Sequence, residues 1–391
     1  MLALAVAMLH AAASCAVATL LALGAAAAAG SAPTPGECSR RMHARESLPP
    51  PPPVTPGAFD WIREIAASGP GRKFALQKRT YLIDAQYQLP EGTELRGAGR
   101  ATVIWAVGAP YNTTTPGNRK GLLLGDNTWV GGFHFVGMES KRIGFASPVE
   151  TPGCACRGQV PLAGCGSHHF TAPPNKTECW GTYRDIHGGG GNGVRNATVE
   201  DITVEPYTTQ NLFYMPPTQA GARVSRDITV RGLRANGTWA DGVNVHGAHM
   251  NVLIEDSITR CTNDDSFAVW SIGAMEDNVT FRRNSATFAG VGCFANYGGQ
   301  RSTYEDNACH GIGRDGNDGA IVHLGHRSSA LNQPVSTNGG MYGGAWNSSS
   351  LIRVVGNTGM SVSCNFEVPI DPRTNKSEGR AAFPGTIDGC V

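Results

Sequence analysis

Between residues 196 and 310, short runs of Val, Ile, Thr and Tyr alternate with polar residues and close on an acidic or basic position. N-A-T-V-E-D-I-T-V carries Asp201, S-R-D-I-T-V carries Asp227, N-V-L-I-E-D-S-I-T carries Asp256 and S-T-Y-E-D-N-A carries Asp306. N-V-T-F-R-R-N-S-A-T places Arg283 at the matching point. Successive intervals are 26, 29, 27 and 23 residues, and L-I-R-V-V-G-N-T-G continues the series 50 residues on, the distance of two turns. A period of roughly 20 to 50 residues marks a solenoid, propeller or array. β-Branched runs punctuated by Gly and Asn build strands rather than helices. The pattern predicts an all-β fold, a right-handed parallel β-helix. A β-sandwich would turn every ~8–12 residues without self-similarity at the longer period.

Upstream, F-D-W-I-R-E-I-A-A-S-G sets Phe59, Ile62 and Ile65 on one face of a short helix, with Asp60 early and Gly69 after it. The open end of a solenoid must be covered, so this helix is expected to cap the core. R-T-Y-L-I-D-A-Q-Y-Q-L-P-E-G-T-E-L-R-G-A-G then reads as the first coils. Gly supplies 51 of 391 residues, about 13% against an average near 7%, as tight corners require.

The ends and the cysteines speak to compartment. Residues 1–32 are apolar and Ala-rich and read as a secretory signal peptide; a retained single-span anchor is the alternative. Residues 33–57 form a Pro-rich tether, and 58–391 the β-helix, with a Cys-rich insertion at 150–180. Of 11 Cys, removing Cys15 with the leader leaves 10. C-x-C…C-x-x-H-H, with His168 and His169, admits a zinc reading, but behind a leader disulfides are the expected use. Seven N-x-S/T sequons, at Asn112, Asn175, Asn196, Asn236, Asn278, Asn347 and Asn375, agree with a secretory route. The placement is secreted, extracellular or cell-wall. Net charge is +1 with no basic block, so no nucleic-acid partner is indicated. A monomer is expected, with a polysaccharide as partner, no cofactor and no catalytic metal, and no membrane unless the leader is kept.

The candidate chemistry lies in two phrases. Asp241 opens A-D-G-V-N-V-H-G, and Asp264 and Asp265 lie 23 and 24 residues later in C-T-N-D-D-S-F-A-V-W-S. Strands on adjacent rungs stand about 4.8 Å apart, so a coil of that length stacks Asp241 beside one of the pair. Glycosidic hydrolysis needs two carboxyl groups at a set separation. The plainer reading of N-D-D is an Asx corner. The three acids together, flanked by Trp239 and Trp270, favour a site, since aromatic rings hold apolar sugar faces. Asn244, His246 and His249 follow Asp241, and Tyr297 lies about one coil after the pair as a stacking residue. Gln210 and Tyr214 lie about one coil before Asp241. His323, His326 and Arg327 lie two to three coils beyond the acids, at a distal subsite.

W-A-D-G-V-N-V-H-G, N-V-L-I-E-D-S, C-T-N-D-D-S-F-A-V-W-S and F-A-N-Y-G-G-Q together resemble the α-1,3-glucanases and mycodextranases of glycoside hydrolase family 87, and more distantly the dextranases and polygalacturonases. The resemblance is closest over 236–330 and weaker over 80–230. It implies a secreted, inverting hydrolase of an α-glucan in which Asp264 is the general acid and Asp241 and Asp265 together activate water. Where the family typically reads N-T-G-D-D-[GA], this chain has Asn263 and Ser266, which alters the bend. The G-H-G and R-I-K phrases of polygalacturonases are absent, favouring a neutral glucan over a uronan. Two alternatives stand beside this: a polysaccharide lyase or other pectin-type enzyme on the same fold, for which Arg260 is the one basic residue between 241 and 272, and a non-catalytic cell-wall or adhesion solenoid.

Overall fold

A computed structural model of the chain describes residues 52–107, 120–136, 184–187, 193–204, 213–215, 224–236, 238, 241–246, 249–262, 265–270, 276–289, 292–312, 322–325, 351–359, 364–367, 370–371, 376–377 and 386–388. The leader, most of the tether and the Cys-rich insertion lie outside the described residues.

Three parallel sheets run the length of the molecule, and the chain visits them in turn. The first holds β1 (Lys73–Ala75), β4 (Glu94–Arg96), β7 (Trp129–Gly131), β10 (Arg195–Glu200), β13 (Ser225–Arg231), β16 (His249–Glu255), β19 (Asp277–Arg282), β22 (Arg301–Glu305), β25 (Leu351–Val355) and β28 (Thr386–Asp388). The second holds β2 (Thr80–Ile83), β5 (Val103–Ala106), β8 (His134–Val136), β11 (Thr203–Val204), β14 (Arg234–Asn236), β17 (Ile258–Arg260), β20 (Ser285–Ala289), β23 (Ala308–Ile312) and β26 (Thr358–Gly359). The third holds β3 (Gln86–Gln88), β6 (Lys120–Leu123), β9 (Arg184–His187), β12 (Phe213–Met215), β15 (Val243–His246), β18 (Phe267–Trp270), β21 (Phe294–Tyr297), β24 (Val322–Gly325) and β27 (Cys364–Glu367). Each strand pairs with its counterpart one turn away. This is a parallel β-helix, right-handed as parallel crossovers within one sheet are.

The corner between the first and second sheets is the most regular part. Gly132, Asp201, Gly232, Asp256, Arg283, Asp306 and Gly356 share one place in it, all with φ between 50 and 70°. Only short Asx residues and Gly enter that left-handed region cheaply. The sequence periodicity therefore needs two corrections. Asp227 is not in this column; it lies near the start of β13, as its third residue, and belongs with Asn127, Asn196, Asn251 and Asn278 in a second left-handed column. There Asn251 Nδ2 donates to Asp227 Oδ1 at 2.9 Å, and Asn278 Nδ2 to Asn251 Oδ1 at 2.9 Å. The 50 residues from Asp306 to Gly356 make one turn, not two, because Glu305 pairs directly with Val355.

The residue after each left-handed one points inward. It is apolar early, with Phe133, Ile202 and Leu233, then polar, with Ser257, Asn284, Asn307 and Asn357. Asn284 Oδ1 accepts the Ser257 backbone N–H at 3.0 Å, Asn307 Oδ1 that of Asn284 at 2.9 Å, and Asn357 Oδ1 that of Asn307 at 2.9 Å. Their amides donate to the carbonyls of Ile254, Phe281 and Tyr304. This ladder satisfies backbone groups that a corner would otherwise bury without partners.

Alternate strand residues stack into one continuous apolar core. Phe267 lies parallel to Phe294 at 5.1 Å between ring centres, and Phe281 to Tyr304 at 5.3 Å. Burial of the Tyr304 phenol pushes its pKa far above the usual tyrosine range. The predicted cap is present: α1 (Asp60–Ala66) buries Ile62 and Ile65 and packs Phe59 and Trp61 against the core. Trp61 Nε1 donates to the Leu82 carbonyl at 2.8 Å, fixing the helix on the first coil. Among the described residues no helix is long and apolar enough to cross a membrane.

Along one edge of the first sheet, Glu200, Arg231, Glu255, Arg282 and Glu305 occupy successive register positions, so charges alternate from coil to coil. Arg231 meets Glu200 at 2.9 Å and Arg282 meets Glu255 at 2.7 Å. The hydrogen bond from Arg231 holds the Glu200 carboxyl below its ordinary range, and that from Arg283 does the same for Asp256.

Candidate active site

Register decides which acid stands beside which. Val243 pairs with Phe267 and Asn244 with Ala268, an offset of 24, so Asp241 and Asp265 occupy the same place on consecutive coils, each two residues before a strand of the third sheet. Asp264 lies outside the described residues. The two described carboxylates are nearly buried, at 5% and 1% exposure.

They are joined through the backbone. Asp241 Oδ1 accepts the Asp265 backbone N–H at 3.2 Å, and its Oδ2 accepts Asn244 Nδ2 at 2.5 Å. The Gly242 N–H donates in return to the Asp265 carbonyl at 3.0 Å. A Cβ at Gly242 would lie 2.5 Å from the Ser266 carbonyl oxygen; the glycine of A-D-G is what allows the two coils to approach here. Asp265 Oδ2 accepts the Tyr297 hydroxyl at 2.9 Å. These donors hold the two carboxylates in fixed orientations on neighbouring coils.

The bend expected around N-D-D has a visible anchor. Thr262 Oγ1 and Ser266 Oγ lie 3.0 Å apart, both buried, and join the chain on either side of the two acids. Ser266, a departure from the glucanase pattern, is thus tied by its hydroxyl to Thr262, four residues earlier.

The remaining expected residues divide. Asn244 is buried beside Asp241, and its Oδ1 has no hydrogen-bond partner among the described residues. Tyr297, expected as a stacking residue, is 4% exposed, and its hydroxyl donates to Asp265. Tyr214 pairs with Asn244, while His246, Trp270 and Tyr297 share one register column on three consecutive coils. The side chains of Tyr214, His246 and Trp270 are outside the description. His323 pairs with Ala295 and stands three coils past Asn244. His249 begins a strand of the first sheet, around the corner from His246. Trp239, Gln210, His326 and Arg327 lie outside the described residues. No group of three or more His, Cys, Asp or Glu able to hold a metal is found among the described residues.

Sequence reading missed two features. Gly292 lies against Asp265, with no side chain to announce it. Cys293, next to it, forms a buried disulfide with Cys309; an even count of Cys carries no pairing.

A buried carboxylate pair on successive rungs of a β-helix is a site suited to acid–base work on an extended ligand. Residues 171–311 match the family model of the alpha-1,3-glucanase catalytic domain D2, which spans all three acids and Tyr297. The resemblance seen in the sequence thus holds over that segment. Among solved structures, the catalytic unit of a thermostable GH87 alpha-1,3-glucanase from Streptomyces thermodiastaticus strain HF3-3 aligns with a TM-score of 0.51 at 15% identity, over 92% of this chain and 54% of that one. That likeness is one of fold, and the chain spans about half the length of that structure. A GH87 alpha-1,3-glucanase catalytic domain in complex with nigerose aligns at 18% identity and TM-score 0.43, over 77% and 43% of the two chains. The A-module of Azotobacter vinelandii mannuronan C-5 epimerase AlgE4 aligns at 11% and 0.36, over 85% and 94%. Among curated proteins none matches the chain.

Proposed function

We propose that the protein is an inverting glycoside hydrolase of an α-1,3-linked glucan or a close relative of it. The observation that carries this reading is the backbone-linked pair Asp241–Asp265 inside the segment that matches the glucanase catalytic model. Acid and base of an inverting site stand about 6.5–9.5 Å apart to admit a water. Neighbouring coils are only ~4.8 Å apart. That spacing by itself would also suit a retaining pair at about 5–5.5 Å; the family resemblance assigns both close acids to the water and the third to the leaving oxygen. Asp241 and Asp265 are the water-activating carboxylates. Asp264 is the general acid.

In the reaction, a water oxygen attacks the anomeric carbon and gives its proton to the Asp241–Asp265 pair. The carbon–oxygen bond to the leaving sugar breaks as Asp264 passes its proton to that oxygen. His246 and Trp270, paired in register on the coils that carry the acids, mark the path of the sugar chain past them. The enzyme acts outside the cell or in the cell wall; the apolar, Ala-rich composition of residues 1–32 and the buried Cys293–Cys309 disulfide support this placement.

Proton NMR of the first products tests the mechanism: an α-linked glucan is expected to release the β-anomer first. Release of the α-anomer would overturn inversion and the division of roles. Reducing-sugar release from α-1,3-glucan, with none from uronans, tests the substrate.

A further inference from the structure

We propose that Gly292 and Tyr297, both on the coil that follows the acids, are positioning residues for the Asp265 carboxylate, the first by leaving room for one oxygen and the second by holding the other. This rests on the glycosidase reading above.

Phe267 pairs with Phe294, so Asp241, Asp265 and Gly292 form one column on three consecutive coils. At the third place the side chain is missing. A Cβ there would stand 2.8 Å from Asp265 Oδ1, closer than carbon and oxygen approach without one of them moving. Gly292 is not among the left-handed glycines, so the backbone alone makes no demand for glycine here. The demand is for space.

The neighbourhood cannot easily yield that space. The Gly292 carbonyl accepts the Ser266 N–H at 2.8 Å, and the Cys293 carbonyl accepts that of Phe267 at 3.0 Å. Cys293 is itself fixed to Cys309. Asp265 is 1% exposed, so its carboxylate has no solvent to swing into. On the far oxygen, the Tyr297 hydroxyl donates at 2.9 Å. One oxygen is bounded by an absence and the other by a donor, which leaves the carboxylate a single rotation about its own bond. A carboxylate that shares the capture of a water proton with Asp241 needs that fixed rotation, since misplacement by about 1 Å can cost on the order of 100-fold in rate.

The test is a double-mutant cycle on the full chain, with kcat and KM on α-1,3-glucan and the melting temperature read for each variant. Gly292→Ala and Tyr297→Phe are each expected to lower kcat about 10- to 100-fold with KM within about twofold. In an Asp265→Asn background, whose residual rate is read over long incubations, neither is expected to lower the rate further, because the carboxylate they position is gone. Tyr297→Phe keeps the ring, so a tyrosine that served only by stacking on sugar would lose little; full activity in that variant overturns the proposal. So do losses that multiply in the Asp265→Asn background, or a rise in KM with kcat intact. If Gly292→Ala does not fold, Tyr297→Phe alone carries the cycle. A wild type that cleaves no glucan sinks the glycosidase reading and this inference with it. An active wild type with multiplying losses sinks this inference alone.

Discussion

The backbone N–H of Asp265 donates to the side chain of Asp241, 3.2 Å away and one coil earlier. The carboxylate most exposed to reaction is thus held by the peptide that carries its partner. Asp241→Asn keeps an acceptor for that N–H but turns its Oδ2 edge into a donor facing Asn244 Nδ2, which Asn244 can meet by flipping its amide. Activity is expected to fall about 10²–10⁴-fold, while circular dichroism and the melting temperature stay close to wild type. A melting temperature that collapses along with activity would make Asp241 a structural residue instead.

Asp264→Asn should separate the acid from the base. Hydrolysis of unactivated glucan is expected to be lost, whereas an aryl glycoside whose leaving group needs little protonation should retain most of its rate. Equal losses on both substrates would remove Asp264 from the acid role.

Asn307 serves the interior corner ladder at both ends: it accepts the Asn284 N–H and donates to the Phe281 carbonyl. Asn307→Ala strands both groups in the core, and an unsatisfied buried group costs about 1–3 kcal/mol. Urea denaturation is expected to show a loss of about 2–4 kcal/mol with little change in slope. An unchanged midpoint would mean that water replaces the ladder.

The disulfide between Cys293 and Cys309 closes a 16-residue separation, for which loop entropy gives about 3 kcal/mol. Replacing both cysteines by Ala should lower the urea midpoint correspondingly. It should also reduce kcat, because Cys293 is the neighbour of Gly292. Loss of stability with kcat untouched would separate the bridge from the site.

Acid should weaken the charged edge of the first sheet. Glu200 and Asp256 have native pKa values below their ordinary ones, held there by Arg231 and Arg283. Their contribution is full above the unfolded values, about 4.3 and 3.9, and is lost as pH falls through the lower native ones. Both ion pairs are partly exposed, with Arg231 at 46% and Arg283 at 45%, so each is worth about 1 kcal/mol or less. Urea midpoints measured from pH 5 down to pH 2 should decline, and less steeply in Arg231→Met. A midpoint indifferent to pH over that range would show that these pairs contribute nothing.

The solenoid was legible because its strand runs and corner residues recur along the chain. The misplaced coil shows the limit. S-R-D-I-T-V looks like E-D-I-T-V, yet Asp227 lies inside its strand, near the start, and Gly232 takes the corner. Both places require a left-handed residue, both accept Asp, and local composition cannot tell them apart. The pairing of Asp241 with the acids near 265 was legible from spacing, and the register chose Asp265 as the stacked member. Gly292 was invisible, since what it contributes is an empty volume. Tyr297 was visible as a residue of the site but not in its role, because burial of its ring depends on the fold around it.

The two-residue corner between the first and second sheets recurs unchanged seven times, from Gly132–Phe133 to Gly356–Asn357. The connections that reach or leave the third sheet obey no such rule: residues 137–183 separate β8 from β9, and 326–350 separate β24 from β25. Tolerance of added length is therefore directional. One seam of the coil works as a ruler that sets the pitch on which the acids stack. The other two let whole segments be gained, lost or exchanged on other coils, because Asp241 and Asp265 stand in the short second-to-third-sheet connections of their own coils, 237–242 and 261–266. Grafting new segments at those seams is the natural way to change which polymer the site accepts, and a single residue added at the ruler seam is the way to destroy it.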